Sequence, residues 1–209
     1  MKISYNYHVN DLPDDLTIEG DIAVDTEAMG LNNHRDRLCL VQLSDLAGNI
    51  HLVHFKEQNF SAKNLKRNLT QPNSIKIFHF GRFDLAIMQK YLNIQLKDVF
   101  CTKIASKLCR TYTHHHSLAE LCSELLHIKI SKQQQTSDWG AHRLNEEQLQ
   151  YASKDVLYLH RLKNELSIRL KREKRFELAK ECFKFLPFKA ELDLLGWLDH
   201  DIFSHAGAS

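Results

Sequence analysis

Asp25 and Glu27 sit one residue apart, directly after the apolar run Ile22-Ala23-Val24. Such a run reads as a buried strand, and because strand side chains alternate faces, Asp25 and Glu27 share a face while Thr26 points to the other. Two neighbouring carboxylates repel, and a hard divalent cation such as Mg²⁺ or Mn²⁺ between them relieves the repulsion. Further acids fall where elements begin or turn a face. Asp84 stands at the junction between the strand-like Ile75–Phe80 and a helical run, and Asp155 follows Tyr151 by four residues, so the phenol and carboxylate project one helical turn apart. Four converging carboxylates can hold two divalent ions about 3.5–4 Å apart, the spacing that clamps both the attacking and the leaving oxygen of a phosphoryl displacement. Tyr151 is then placed to orient an attacking water. This reading takes Asp25, Glu27, Asp84, Tyr151 and Asp155 as catalytic, and the four acids among them as metal ligands.

The elements that must position these groups follow an α/β rhythm. Leu38–Leu43 and Ile50–His54 are strand-like, separated by the turn formers of Ser44–Asn49, so the first three core strands form an antiparallel meander. Ser61–Leu69 reads as a helix, Ile75–Phe80 as a strand, Val99–Cys101 as a short strand and Thr102–Cys109 as a helix. Ser117-Leu118-Ala119-Glu120 matches a capping box, and Asn145-Glu146-Glu147-Gln148 starts a long helix with Leu149, Ala152, Val156, Leu159 and Leu162 on one face. That helix either continues or breaks at Lys171–Arg175, and Pro187 closes the segment after it. Gly30 lets the chain turn away from the first strand. Lys2–Thr17 shows no regular pattern, and Lys129–Asp138 reads as an ordered surface loop. The apolar tail around Leu192, Leu194, Leu195, Trp197, Leu198 and Phe203 either folds back on the core or docks on a partner subunit.

Composition narrows the class without deciding it. The 209 residues suit a single domain, 1–209, and the formal net charge of +2 is too small to announce nucleic-acid binding through bulk electrostatics. No apolar run reaches the length of a membrane span, and five scattered cysteines without a Cys-x-x-Cys pair point to reduced thiols and a cytoplasmic setting. His114-His115-His116 reads as a solvated loop, since three consecutive side chains do not converge as an i,i+4 pair does.

In combination, Asp25-x-Glu27, His79-x-x-x-Phe83-Asp84 and Tyr151-x-x-x-Asp155 resemble the three exonuclease motifs of the DEDD superfamily, tyrosine subclass, which includes ribonuclease D. Lys132-Gln133-x-x-x-Ser137-Asp138-Trp139 and Gln148-Leu149-x-Tyr151-Ala152 are similar to the ribonuclease D version, and the short nanoRNase C group matches in length. Phe80 departs from the asparagine common in this family, as does Cys101 from an aspartate. The resemblance implies a ribonuclease H-like three-layer fold, a mixed sheet with an antiparallel meander followed by parallel strands, flanked by helices. It places a catalytic core at about 20–165 and a helical extension at about 166–209. It also implies a metal-dependent 3′-to-5′ exoribonuclease that releases 5′-mononucleotides, acts on dinucleotides and very short RNA, and assembles as a homo-oligomer, in this group an octamer. By the family's pattern Asp25, Glu27 and Asp155 hold one ion and Asp25 with Asp84 the other.

Substrate contacts are expected from Leu31, Thr26, His79, Arg82 and Lys103. Leu31 resembles the leucine that wedges between the two terminal bases in dinucleotide-cleaving relatives, or else closes the core after Gly30. Arg82 and Lys103 hold phosphates or stand in solvent, and His79 makes a core hydrogen bond in preference to ligating metal. The other readings are an exonuclease trimming longer RNA or DNA, an inactive nucleic-acid-binding module, and an oligomerisation protein. The full carboxylate set weighs against the last two.

Overall fold

The continuous apolar runs of the sequence become the middle of a six-stranded mixed sheet. The structure, a computed structural model, describes residues 2–130 and 137–205. Its strands are β1 (Asn6–Val9), β2 (Ile22–Ala28), β3 (Leu38–Ser44), β4 (Ile50–His54), β5 (Lys76–Phe78) and β6 (Val99–Cys101), in the order β1-β4-β3-β2-β5-β6. β2, β3 and β4 pair antiparallel as the meander, and β5 and β6 add in parallel on the far side of β2. β3 and β4 are buried along their whole length, which is why both read as unbroken apolar runs without alternation.

Helices α1 (Lys63–Leu69), α2 (Arg82–Leu92), α3 (Thr102–Cys109), α4 (Leu118–Leu126), α5 (Glu146–Leu157), α6 (Leu159–Arg172) and α7 (Phe176–Leu194) cover the sheet. α5 packs on β2, β3 and β4, α6 on α3, α4 and β5, and α7 on α2 and β6. The mixed sheet with its meander, parallel strands and helical layers is the architecture expected. β2 is pinned at its start by Asp21, whose carboxylate accepts from the Ile75 amide at 3.0 Å and from Lys163 Nζ on α6 at 2.6 Å.

Several local expectations need correction. Lys2–Thr17 is not wholly irregular: β1 pairs in parallel with β4, and the Tyr7 hydroxyl bonds His54 Nδ1 at 2.6 Å. An edge strand held by pairing and by the ring contacts Tyr7–His54 and His8–His51 carries no apolar run to mark it in the sequence. The long helix from Asn145 breaks at Tyr158 into α5 and α6, and a second break at Glu173–Arg175 turns through Lys174, whose φ is 55°. Pro187 does not end its segment, because α7 runs through it to Leu194. The proline ring is buried there, and that burial offsets the backbone bond it removes. The chain bends at Met29–Leu31 as expected, and Gly30 also allows a close approach, since a Cβ there would collide with the Asp36 carboxylate. Residues 131–136 of the expected surface loop, including Lys132 and Gln133, lie outside the described residues.

Both capping boxes form. Asn145 accepts from the Gln148 amide at 2.9 Å while Gln148 Oε1 accepts from the Asn145 amide at 2.9 Å, which fixes the start of the helix that carries Tyr151 and Asp155. Asn145→Ala is therefore expected to lower unfolding free energy by about 1 kcal/mol, read from urea denaturation, without changing the far-UV spectrum of the folded state.

Candidate active site

β2 carries its acids to the edge of a cleft of about 750 Å³, walled by β2 and the segment after it, the start of α2, the start of α4, α5 and residues of the C-terminal segment. A register shift between Glu27 and Ala28 breaks the β2–β3 ladder at this point, a device that re-aims side chains where pairing ends. Single ligand atoms of Asp25, Glu27 and Asp155 lie within 4.8 Å of one another, close enough for one ion to reach all three. The oxygen-only donor set suits Mg²⁺ or Mn²⁺ and suits soft metals poorly.

Asp84 stands beside this trio without joining it. It opens the first turn of α2, is buried, and accepts from the Thr26 hydroxyl at 2.6 Å. Thr26 thus points away from the Asp25–Glu27 face as the alternation requires, but its hydroxyl is committed to Asp84 and does not face substrate freely. Tyr151 is hydrogen-bonded to Asp155, and its ring lies in a tilted arrangement with buried Trp139, centroids 6.2 Å apart. Trp139 belongs to the Ser137-Asp138-Trp139 motif that resembles ribonuclease D, which from sequence carries no chemistry and at most braces the loop before the Tyr151 helix.

The electrostatics are those of acids crowded together in a buried place. Burial raises Asp25 well above the usual carboxylate range, and the charges of Asp84, Asp155 and Glu27 raise it further. Glu27 rises by burial and by Asp155 and Asp84. Asp84 is raised to about 7 by burial, against the pull of the Thr26 hydroxyl, and Asp155 to about 7 by burial, against its bond from Tyr151. Burial and the neighbouring acids raise the Tyr151 phenol, so it stays protonated and can donate.

The expected substrate contacts divide. Leu31 is 88% exposed at the cleft mouth, which rules out the core-closing alternative. His79 lines the cleft, and its Nδ1 meets Thr102 Oγ1 at 2.9 Å. Because that hydroxyl donates to the Phe78 carbonyl at 3.1 Å, it accepts from His79 Nδ1–H and leaves Nε2 as an acceptor. Burial, with Lys103 nearby, lowers His79 to about 3, so the ring is neutral. Lys103 also lines the cleft, its Nζ lying 4.4 Å above the Phe80 ring. Phe80 holds a left-handed φ of 67°, a backbone conformation that asparagine tolerates and a bulky residue seldom takes. Arg82 lines the cleft with one edge of its guanidinium engaged: Nε and Nη2 donate to the two carboxylate oxygens of Asp193, and Nη2 also donates to the Leu198 carbonyl at 2.6 Å. Asp193 and Leu198 are cleft residues the sequence reading missed, since an acid among helix residues and a leucine in an apolar tail carry no distinguishing mark.

Fold and site together define the class, a ribonuclease H-like α/β nuclease fold with acids gathered where a central strand ends. The chain belongs to the 3′-5′ exonuclease family, whose profile matches residues 2–171. Its structure is similar to that of Brucella melitensis NrnC bound to pGG, at 51% identity and TM-score 0.94, covering 98% of this chain and 100% of that one. The same protein with bound Mg²⁺ matches at 50% identity and TM-score 0.92, again over 98% and 100% of the two chains. Ribonuclease D of Acidiphilium cryptum is 29% identical over 170 residues, which is 81% of this chain and 43% of that protein, so the chain spans less than half of that curated relative.

The raised carboxylates fix a pH dependence. Asp84 and Asp155 bind protons in the folded state up to about 7 and in the unfolded chain only up to the ordinary 3.8. Folding therefore takes up protons between these values, and stability present below about pH 4 is lost as pH rises through about 7. The metal-free protein is expected to melt at a lower temperature at about pH 8 than at about pH 5, with added Mg²⁺ raising the melting temperature more at the higher pH. Differential scanning fluorimetry with and without a chelator reads both.

Proposed function

We propose that this chain is a metal-dependent 3′-to-5′ exoribonuclease that removes 5′-mononucleotides from the 3′ end of dinucleotides and very short RNA. The observation that carries the reading is the convergence of Asp25, Glu27 and Asp155 within 4.8 Å, with Asp84 alongside and Tyr151 bonded to Asp155. The finer substrate class is supported by the likeness to an NrnC structure whose bound group is pGG and by Leu31 standing 88% exposed at the cleft mouth.

Asp25, Glu27 and Asp155 would hold one divalent ion, and Asp25 with Asp84 a second, Mg²⁺ or Mn²⁺. When bound, such ions lower the pKa of a coordinated water and neutralise charge on the leaving 3′-oxygen. The chain's own groups do the rest. Tyr151, kept protonated, orients the attacking water, with the Trp139 ring beside it. Thr26 and the N-terminal turn of α2 hold Asp84 in place. Leu31 separates the two terminal bases, and Lys103 beside Phe80 takes phosphate charge. Neutral His79 offers its Nε2 to a sugar hydroxyl. We take residues 1–209 as a single catalytic unit that works in the cytoplasm, consistent with five free thiols, as a homo-oligomer of the octameric kind.

Asp25→Ala is expected to cut nucleotide release by about 10³-fold or more while the protein stays folded, because one carboxylate serves both ions. A chelator should stop wild-type release, and Mg²⁺ or Mn²⁺ should restore it. Measured on a dinucleotide and a heptanucleotide at equal concentration, kcat/KM should favour the dinucleotide. Equal values would leave the exonuclease and withdraw the short-substrate specificity.

A further inference from the structure

Asp193 lies near the end of α7 with its side chain only 2% exposed, and two cations share it. Arg82, first residue of α2, donates to it through Nε and through Nη2 at 2.7 Å, and Lys189 Nζ bonds it at 2.6 Å. Each cation also grips the backbone just beyond the helix: Arg82 Nη2 meets the Leu198 carbonyl at 2.6 Å and Lys189 Nζ the Trp197 carbonyl at 2.9 Å. One buried carboxylate therefore fastens two consecutive carbonyls of an otherwise exposed segment. A buried charge engaged this fully is costly to disturb, because removing it leaves two cations without their partner.

The segment so fastened is part of the cleft. Leu198 lines it together with Asp193 and Arg82, and Leu198 remains 47% exposed. α7 and this segment lie beyond residue 171, where the family match ends, so this wall is added to the exonuclease core. An apolar side chain has nothing to offer a phosphate, whereas a base presents an apolar face of matching kind.

We propose that Asp193 is a positioning residue which, through Arg82 and Lys189, holds Trp197–Leu198 as a wall of the catalytic cleft, and that Leu198 packs on a base of the bound nucleotide chain. The proposal rests on the reading of the cleft as a nucleic-acid site and adds a specificity element to it. Arg82 acts as the tether between α2 and the tail.

The test is a double-mutant cycle on dinucleotide hydrolysis by the full chain with Mg²⁺. Leu198→Ala removes the wall's contact, and Asp193→Asn releases the wall while keeping size. Each is expected to raise KM about five-fold with kcat within about two-fold, and the double variant to match the singles instead of multiplying them. KM does not depend on the fraction of folded enzyme, so a merely destabilised protein would leave it unchanged. Lys189→Met, outside the cleft lining, is expected to raise KM in the same direction by less, and it replaces Asp193→Asn in the cycle if that variant does not fold. Unchanged KM in the variants, or multiplicative effects in the double, would overturn the wall with the wild-type activity intact. Absence of wild-type nucleotide release would overturn the functional reading and the wall with it.

Discussion

The mutual repulsion of four carboxylates at the end of one buried strand is the constraint on which the rest of the structure depends. Asp25 and Glu27 are forced onto one face by the pleat of β2, and α5 and α2 bring Asp155 and Asp84 to the same place. Burial pushes all four toward their protonated forms, and like charge adds to it at Asp25, Glu27 and Asp155. A fold retains such an arrangement at a cost in stability, and under the proposed function bound divalent cations would offset it. The remaining architecture serves the same end. Asp21 fixes where β2 starts, the Asn145–Gln148 box fixes where α5 starts, and Thr26 fixes Asp84.

Much of this was legible in the residues. β3 and β4 are buried on both faces and read as continuous apolar runs, and the two capping boxes have a local chemistry that marks helix starts wherever they occur. The acids were legible because a carboxylate is costly in a strand's core, so its presence there demands a reason. Features whose cause is long-range were not legible. β1 pairs with the edge of β4, α7 runs through Pro187 with the ring buried, and the helix breaks at Tyr158 without a proline or glycine to mark it.

Arg82 shows the same limit inside the site. From sequence, Arg82 is open between a phosphate contact and a solvated surface group. In space, its charge is taken by Asp193, more than a hundred residues away, and used to fasten the tail. The apolar tail was open between folding back and docking on a partner; part of it folds back, since Trp197 and Leu198 are tied to Lys189 and Arg82. Leu195, Ile202 and Phe203 remain exposed.

Under the proposed function, divalent cations would discharge a set of carboxylates that burial keeps partly protonated. Calorimetric titration of the chelator-treated protein with Mg²⁺, in buffers of differing ionisation enthalpy, reads this directly as protons expelled per ion bound. Net proton release is predicted at about pH 6, shrinking above about pH 7 as Asp84 and Asp155 ionise unaided. Binding without proton release across that range would contradict the claim.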